Sequence, residues 1–323
     1  TYYNSIKNKY YLYKINERYG QAVLPQVELI NMNNVTSVIG QSILSDHLIN
    51  KIRDRLNKKE QVLVLHNRRG FSSLKVCNKS NDLLKCQDCD VILTVHQSTN
   101  QLICHYCSSS YNIESLYNKY SKDDIVYLGY GTEKIEGILN NLFPDASVLR
   151  IDTDTANSLN KQNKVLNLFK SGECDILLGT QMIAKGLDFD NVTLVAVINA
   201  DLGTIVPDFK ANENLFQLIN QVIGRSGRRN KKGLAIIQTH KPNNKTLKMA
   251  TSYQSKHFYN LQLNNRKALN YPPFSRLIRI IFSGSNYKSC HFNAEKVFKY
   301  LNKDFSEFLT GPFPCPIEKL FKK

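Results

Sequence analysis

No G-x-x-x-x-G-K-[ST] loop occurs in the 323-residue chain, and the dipeptide Gly-Lys is absent altogether. Such a loop cradles nucleotide phosphates with its backbone N–H groups and a lysine, so the chain has no phosphate pocket of that type. An adjacent Asp-Glu pair of the kind that organises Mg²⁺ in many ATPases is also missing. The longest apolar run, Val192 to Ile198 broken only by Thr193, is too short to cross a bilayer. The first residues, "TYYNSIKNKYYLYK", carry no apolar signal core, which points to a cytoplasmic, reducing location with no membrane partner. Internal repeats and low-complexity tracts are absent, and 42% hydrophobic residues exclude wholesale disorder.

What is present in excess is positive charge. Forty-three Lys and Arg against 27 Asp and Glu leave a formal charge of +16. Lysines and arginines set against phosphates release counterions, so a nucleic-acid partner is favoured, although part of this charge is also what a solvated surface carries.

Short runs rich in Val, Ile and Leu alternate with longer amphipathic ones, the pattern of βαβ units on a parallel sheet covered by helices on both faces. Expected strands are Gln61–Leu65, Ile125–Leu128, Ser147–Ile151, Asp175–Leu178, Thr193–Ile198 and Leu234–Gln238, with helices over Thr132–Leu142, Asn160–Lys170 and Asn212–Ile223. Residues 77–123 interrupt the alternation and read as an insert. After about residue 270, "YPPFSR" is a rigid turn, "LIRIIFSG" an alternating strand and Tyr287–Leu301 a helix, together a partial α+β domain.

Inside the insert, "CQDCDVILTVHQSTNQLICHYC" sets Cys86, Cys89, Cys104 and Cys107 in the spacing C-x₂-C-x₁₄-C-x₂-C. Two residues between thiolates let one turn present both to a single tetrahedral Zn²⁺, and two such knuckles joined by a hairpin complete the site. Four thiolates leave no open position, so this zinc is structural and does not activate water. His96 and His105 read as loop residues, and Cys77, Cys174, Cys290 and Cys315 as ordinary thiols.

Two further segments carry chemistry. "GTQMIAKGLDF" (179–189) follows a buried strand, and open α/β sheets gather ligands at the C-terminal ends of their strands. Gly179 and Gly186 permit close backbone approach, Thr180, Gln181 and Lys185 suit phosphates, and Asp188 suits a ribose hydroxyl; a plain strand–loop turn is the alternative. "QVIGRSGRR" (221–229) ends an amphipathic run with Arg225 and Arg228 three residues apart. A guanidinium fork matches the oxygens of a γ-phosphoryl group, whereas Arg229, Lys231 and Lys232 read as solvated surface.

These two segments resemble motifs V and VI of superfamily 2 helicases. With "LVLHNRRGF", "GYGTEKIE", "INADLGTIVPDF" and the cysteine insert, the chain is similar from end to end to the bacterial primosomal helicase family PriA (primosomal protein N′). The resemblance implies an α/β fold, a RecA-like second helicase lobe over 1–76 and 124–269. It also implies an inserted zinc-binding module over 77–123 and a truncated α+β C-terminal domain over 270–323. It implies ATP-dependent 3′→5′ DNA unwinding in replication restart, with ATP and Mg²⁺ held on a first lobe whose motifs precede this chain. DNA, forked or single-stranded, replication-restart proteins and single-stranded DNA-binding protein are the implied partners. Arg225 and Arg228 take the place of the ATP-sensing arginines, with Gln221 in the same motif. Thr180, Gln181, Lys185, Gly186 and Asp188 form the motif coupling DNA to nucleotide. Arg68 and Arg69 lie near DNA or merely in solvent, and Gly129, Gly131, Thr132 and Glu133 form the family's strand-to-helix turn.

One departure stands out. The family carries four C-x₂-C pairs and two zincs, but here the outer pairs read Cys77–Ser80 and Tyr117–Tyr120. Three of four outer ligands are lost together while the inner four remain, so one zinc is expected. Two rival readings stay open: a non-enzymatic zinc-ribbon module that binds nucleic acid or a partner, and a decayed helicase kept as a scaffold.

Overall fold

The short aliphatic runs of the sequence become the buried centre of a parallel sheet. A computed structural model describes residues 1–13, 23–35, 43–66, 73–76, 84, 86–87, 93–96, 101–104, 109–114, 125–128, 131–152, 159–184, 189–201, 209–227 and 231–313. In chain order the elements begin with α1 (Tyr2–Ile6), β1 (Gln26–Asn31), α2 (Asp46–Asn57) and β2 (Gln61–Leu65). Five short strands follow: β3 (Ser73–Val76), β4 (Thr94–His96), β5 (Gln101–Ile103), β6 (Ser110–Asn112) and β7 (Ile125–Leu128). The alternation then resumes with α3 (Thr132–Leu142), β8 (Val148–Ile151), α4 (Leu159–Ser171), β9 (Ile176–Gly179), β10 (Val192–Val197), α5 (Ala211–Ile223) and β11 (Leu234–Thr239). Three helices close the described chain, α6 (Lys245–Thr251), α7 (Ser255–Ala268) and α8 (Tyr287–Phe305).

The other six strands form one sheet in the order β1-β11-β10-β2-β9-β8, parallel at every pairing. All residues of β2, β9, β10 and β11 are buried, as expected for central strands covered on both faces. Helix α2 shows how the covering works. Ser45 caps it by accepting the N–H of Leu48, and Leu48 and Ile52, one turn apart, are fully buried where the helix lies against β2 and β10. Burying each such side chain stabilises by about 1.5–3 kcal/mol. On α5, the Phe216 ring stacks on Phe258 of α7 at 3.9 Å and 2°, which locks the two helices together.

The chain divides into two compact units, Thr1–Arg69 with Gly131–Arg276, and Gly70–Tyr130 with Leu277–Lys323. The first holds the parallel sheet. The second holds a two-stranded antiparallel pair, β3 with β7, and a three-stranded antiparallel sheet β4-β5-β6.

Two expectations are corrected here. Ile125–Leu128 is a strand with the expected bounds, but it pairs antiparallel with Ser73–Val76 and is not part of the parallel sheet. Strand propensity identifies an extended segment without naming its partner. "LIRIIFSG" forms no strand pairing, and Leu277, Ile278, Ile280 and Ile281 are all exposed. Alternation alone does not make a strand when no neighbouring backbone supplies the hydrogen bonds.

Candidate functional site

The C-terminal ends of the sheet strands build the first part of the site. At the end of β9, Thr180 donates its N–H to the carbonyl of Ile151 on β8 (3.3 Å), and its own carbonyl accepts the N–H of Ile183 (3.2 Å). This closes a one-turn 3₁₀ helix, Gln181–Ala184, that packs against α5. Gly179 is required at the turn. A Cβ there would lie 2.8 Å from the Ile151 carbonyl oxygen and 2.7 Å from the Ile183 side chain. Its close approach is therefore to the neighbouring strand and its own turn. Thr180 and Gln181 are half-buried beyond it, and Lys185, Gly186 and Asp188 lie outside the described residues.

Helix α5 links this turn to the arginines. It buries Leu215, Phe216, Leu218, Ile219, Val222 and Ile223, while Gln221 on its last turn is exposed. The helix ends at Ile223. Arg225, half-buried, sits in the following turn with its N–H bonded to the Val222 carbonyl (2.9 Å). Gly227 has φ +72 and donates to the carbonyl of Val192 (3.2 Å), where the 179–189 loop has just re-entered the sheet as β10. The two expected motifs thus meet on one lobe. Arg228 and Arg229 lie outside the described residues, as do Arg68 and Arg69, whose segment follows β2. His66, the last described residue before them, is buried and bonds its N–H to the Gly179 carbonyl (2.9 Å).

Beside the same sheet edge lies a network that the sequence reading missed. Thr132, at the start of α3, donates its hydroxyl to Asp152 Oδ2 (2.5 Å) at the end of β8. Arg150, almost buried, is within 3.1–3.4 Å of carboxylate oxygens of Glu133, Glu136 and Asp152. Burial raises the Glu136 carboxyl above its ordinary range, the neighbouring Asp152 and Glu133 push the same way, and Arg150 opposes them. The Gly131–Glu133 turn is a strand-to-helix connection as expected, with Gly131 at the N-cap, but it also anchors α3 to β8. Residues 20 apart in sequence offered no local signal of this. Cys174 is an inert thiol, buried and pushed up to about 11 by that burial.

Cys86 and Cys104 are both buried; Cys89 and Cys107 lie outside the described residues. Backbone bonds join described residues flanking each cysteine pair, Leu93 N–H to the Leu84 carbonyl (2.8 Å) and Cys104 N–H to the Ser109 carbonyl (2.9 Å). The antiparallel pairing of Thr94–His96 with Gln101–Ile103 supplies the expected hairpin between them. Tyr111, on the strand leaving the second knuckle, reaches back to the first: its hydroxyl accepts the Gln87 N–H (3.3 Å) and lies 3.5 Å from Cys86 Sγ. Tyr111 thus ties the strand after the second cysteine pair to the first pair, and one thiol of each pair, Cys86 and Cys104, is buried. Among the described residues no group of three or more His, Cys, Asp or Glu converges on a metal position, and two of the four expected ligands are outside that set. No described helix is long and apolar enough to cross a membrane.

The family model "Helicase conserved C-terminal domain" matches residues 108–230, and "PriA DNA helicase Cys-rich region (CRR) domain" matches residues 86–110. "Replication restart protein PriA" of Chlamydia pneumoniae is 40% identical over 322 residues, which is 98% of this chain and 43% of that protein. The Bacillus subtilis protein of the same name is 34% identical over 322 residues, 99% of this chain and 40% of its own length. The chain therefore spans less than half the length of these relatives. Among solved structures, RecG bound to a three-way DNA junction aligns at 12% identity and TM-score 0.44, covering 87% of this chain and 26% of that one.

Proposed function

The chain is a relative of the replication restart proteins PriA along nearly its whole length, and we propose that it forms the second motor lobe of an ATP-dependent 3′→5′ DNA helicase that reloads replication at stalled forks. In this reading the lobe spans residues 1–76 and 124–269, the zinc module 77–123, and a C-terminal α+β domain begins near 270. The supporting observation is the convergence of two motifs on α5. The Gln181–Ala184 turn packs against that helix, and Arg225 follows its end.

ATP, with its Mg²⁺, is the substrate of this motor and sits between this lobe and a partner lobe that carries the phosphate-binding loop. Closure of the two lobes brings the Arg225 guanidinium, with Arg228, onto the γ-phosphoryl oxygens, where charge spreads in the transition state. An arginine so placed contributes roughly 10³–10⁵ in rate. Thr180, Gln181, Lys185, Gly186 and Asp188 hold the DNA strand at the ends of the sheet strands. Because their turn rests on α5, opening and closing at Arg225 shifts the strand they hold. Gln221 lies exposed on the same helix, one turn before Arg225. Arg68 and Arg69 extend the DNA contact after β2.

Cys86, Cys89, Cys104 and Cys107 would hold one structural zinc. That ion would crosslink the two knuckles of the ribbon, whose described burial is slight apart from Cys86, Leu93, Leu102, Cys104 and Ile113.

The test is unwinding polarity. The two-lobed protein, given ATP, is expected to displace the short strand from a partial duplex with a 3′ single-stranded tail and not from its 5′-tailed mirror. Displacement from the 5′-tailed substrate, or displacement without ATP, contradicts the reading.

A further inference from the structure

The proposed DNA contacts occupy the ends of β2 and β9, but the sheet continues past them to β10, β11 and β1. With neighbouring strands about 4.8 Å apart, the end of β11 lies roughly 10 Å from that of β2 and about 14 Å from that of β9. The chain leaving β11 reads His240, Lys241, Pro242, Asn243, Asn244, Lys245, and α6 then presents Lys248 one turn after Lys245. Lys241, Lys245 and Lys248 are all exposed.

This loop is built to be rigid. Asp201, nearly buried after β10, accepts the Thr239 hydroxyl and the His240 N–H (2.7 Å) with its two oxygens. The Thr239 hydroxyl in turn accepts the Lys241 N–H (2.9 Å). From the adjacent end of β1, Asn33 donates its amide to the His240 carbonyl (2.8 Å) and lies 3.1 Å from His240 Nδ1. Asn244 caps α6 by accepting the N–H groups of Thr246 and Leu247. The backbone that carries Lys241 into α6 is thereby fixed.

Among the described residues none of the three lysines forms an ion pair, and Lys248 Nζ donates to Asn243 Oδ1 (2.9 Å). From Asn214 through Ala294 the chain contains no aspartate or glutamate, while Lys241, Lys245, Lys248, Lys256 and Lys267 all fall within that stretch. Asp201 is the carboxylate beside the loop, and its oxygens are turned onto Thr239 and His240. Lys58, by contrast, is answered by Asp54 at 2.8 Å.

We propose that Lys241, Lys245 and Lys248 form a phosphate-contacting extension of the DNA track, holding the single strand as it passes from the ends of β2 and β9 toward the β1 edge. The proposal rests on the helicase reading above. It assigns these lysines to the backbone and gives them no role in reading bases.

The experiment measures the affinity of the full chain for a single-stranded oligothymidylate as a function of salt. Each phosphate contact contributes a slope of about −0.7 in log K against log [salt] for single strands, so Lys241→Ala/Lys245→Ala/Lys248→Ala is expected to flatten the slope by about 2. A control triple, Lys58→Ala/Lys59→Ala/Lys170→Ala, removes the same charge away from this edge and is expected to leave the slope unchanged. Equal flattening by both triples would mean general charge only and would overturn the proposal. If wild type binds and the first triple binds identically, the extension is wrong and the helicase reading survives. Failure of wild type to bind at all would count against the helicase reading itself. Flattening seen only with fully duplex DNA would overturn the assignment to a single strand.

Discussion

Gly227 and Gly233 meet backbone to backbone at the base of the arginine loop. A Cβ on Gly227 would lie 2.6 Å from the Gly233 nitrogen, and one on Gly233 would lie 2.5 Å from the Gly227 nitrogen. Gly227 also takes φ +72 and bonds to Val192, and the Gly233 carbonyl accepts the N–H of Gln26 at the start of β1. The segment between the two glycines is therefore tied at its base to both β10 and β1. Gly227→Ala must pay for a left-handed backbone, about 1–2 kcal/mol, and for a collision with backbone that has no flexible end to move. Gly172 provides the comparison, with φ +87 and open space where a Cβ would go. Thermal unfolding is expected to show Gly227→Ala clearly more destabilised than Gly172→Ala. Equal shifts would mean that the contact does not matter.

Glu60 is expected to make the protein acid-sensitive. Burial alone would raise its carboxyl, but hydrogen bonds from Thr193 (2.6 Å) and Arg55 (3.1 Å) outweigh it and hold the group below the ordinary value of 4.5. A carboxyl depressed in the folded state contributes stability that is present above the unfolded value and is lost as pH falls through the folded one. Glu60→Gln is expected to lower stability at pH 7 by about 1–3 kcal/mol, with the gap to wild type closing as pH falls below about 4.5. Denaturant unfolding at pH 7 and at pH 3 measures it; a gap that stays constant with pH would contradict the assignment.

Phe216 joins the site to the rest of its lobe through its stack on Phe258. Phe216→Ala is expected to cost about 3–5 kcal/mol, and Phe258→Ala a similar amount. The double variant should cost less than the sum, because both remove the same contact. Strict additivity in chemical denaturation would argue against a shared stack.

Zinc content tests the insert. Protein purified without added metal is expected to hold one zinc per chain by elemental analysis, and Cys86→Ser is expected to lose it. Chelation should loosen the Leu84–Ile113 region without melting the parallel sheet, read as protease cutting in the insert while the far-ultraviolet helix signal persists. Two tightly held zincs per chain would contradict the loss of the outer ligands at Ser80, Tyr117 and Tyr120.

The elements legible in the sequence were those whose signal is local. Gln61–Leu65 and Thr132–Leu142 have the bounds read from the residues, since one is an unbroken aliphatic run and the other starts after a glycine cap. Helix α2 was missed although Ser45, Leu48 and Ile52 spell a cap and an apolar stripe, because charged residues surround the stripe. Strand β1 was missed because an edge strand is only half covered and shows no buried run. Partners were harder still. The pairing of Ile125–Leu128 with Ser73–Val76, the Thr132–Asp152 bond and the Gly227–Gly233 contact are decided by tertiary geometry. Of the candidate site, Gln221 falls on α5, Arg225 in the turn that follows it, Gln181 in the turn packed against it and Thr180 just before that turn. The rigid loop from Thr239 to Asn244 was invisible to motif reading, because its order comes from Asp201 and Asn33, which are remote in sequence.

The most direct test of the motor-lobe account is Arg225→Ala in the two-lobed protein, with DNA-stimulated ATP hydrolysis and single-strand binding measured on the same preparation. Hydrolysis is expected to fall by roughly 10³-fold or more while the affinity for DNA changes little, because the guanidinium acts on the phosphoryl group and not on the strand. Unchanged hydrolysis, or an equal loss of hydrolysis and binding, would contradict the account.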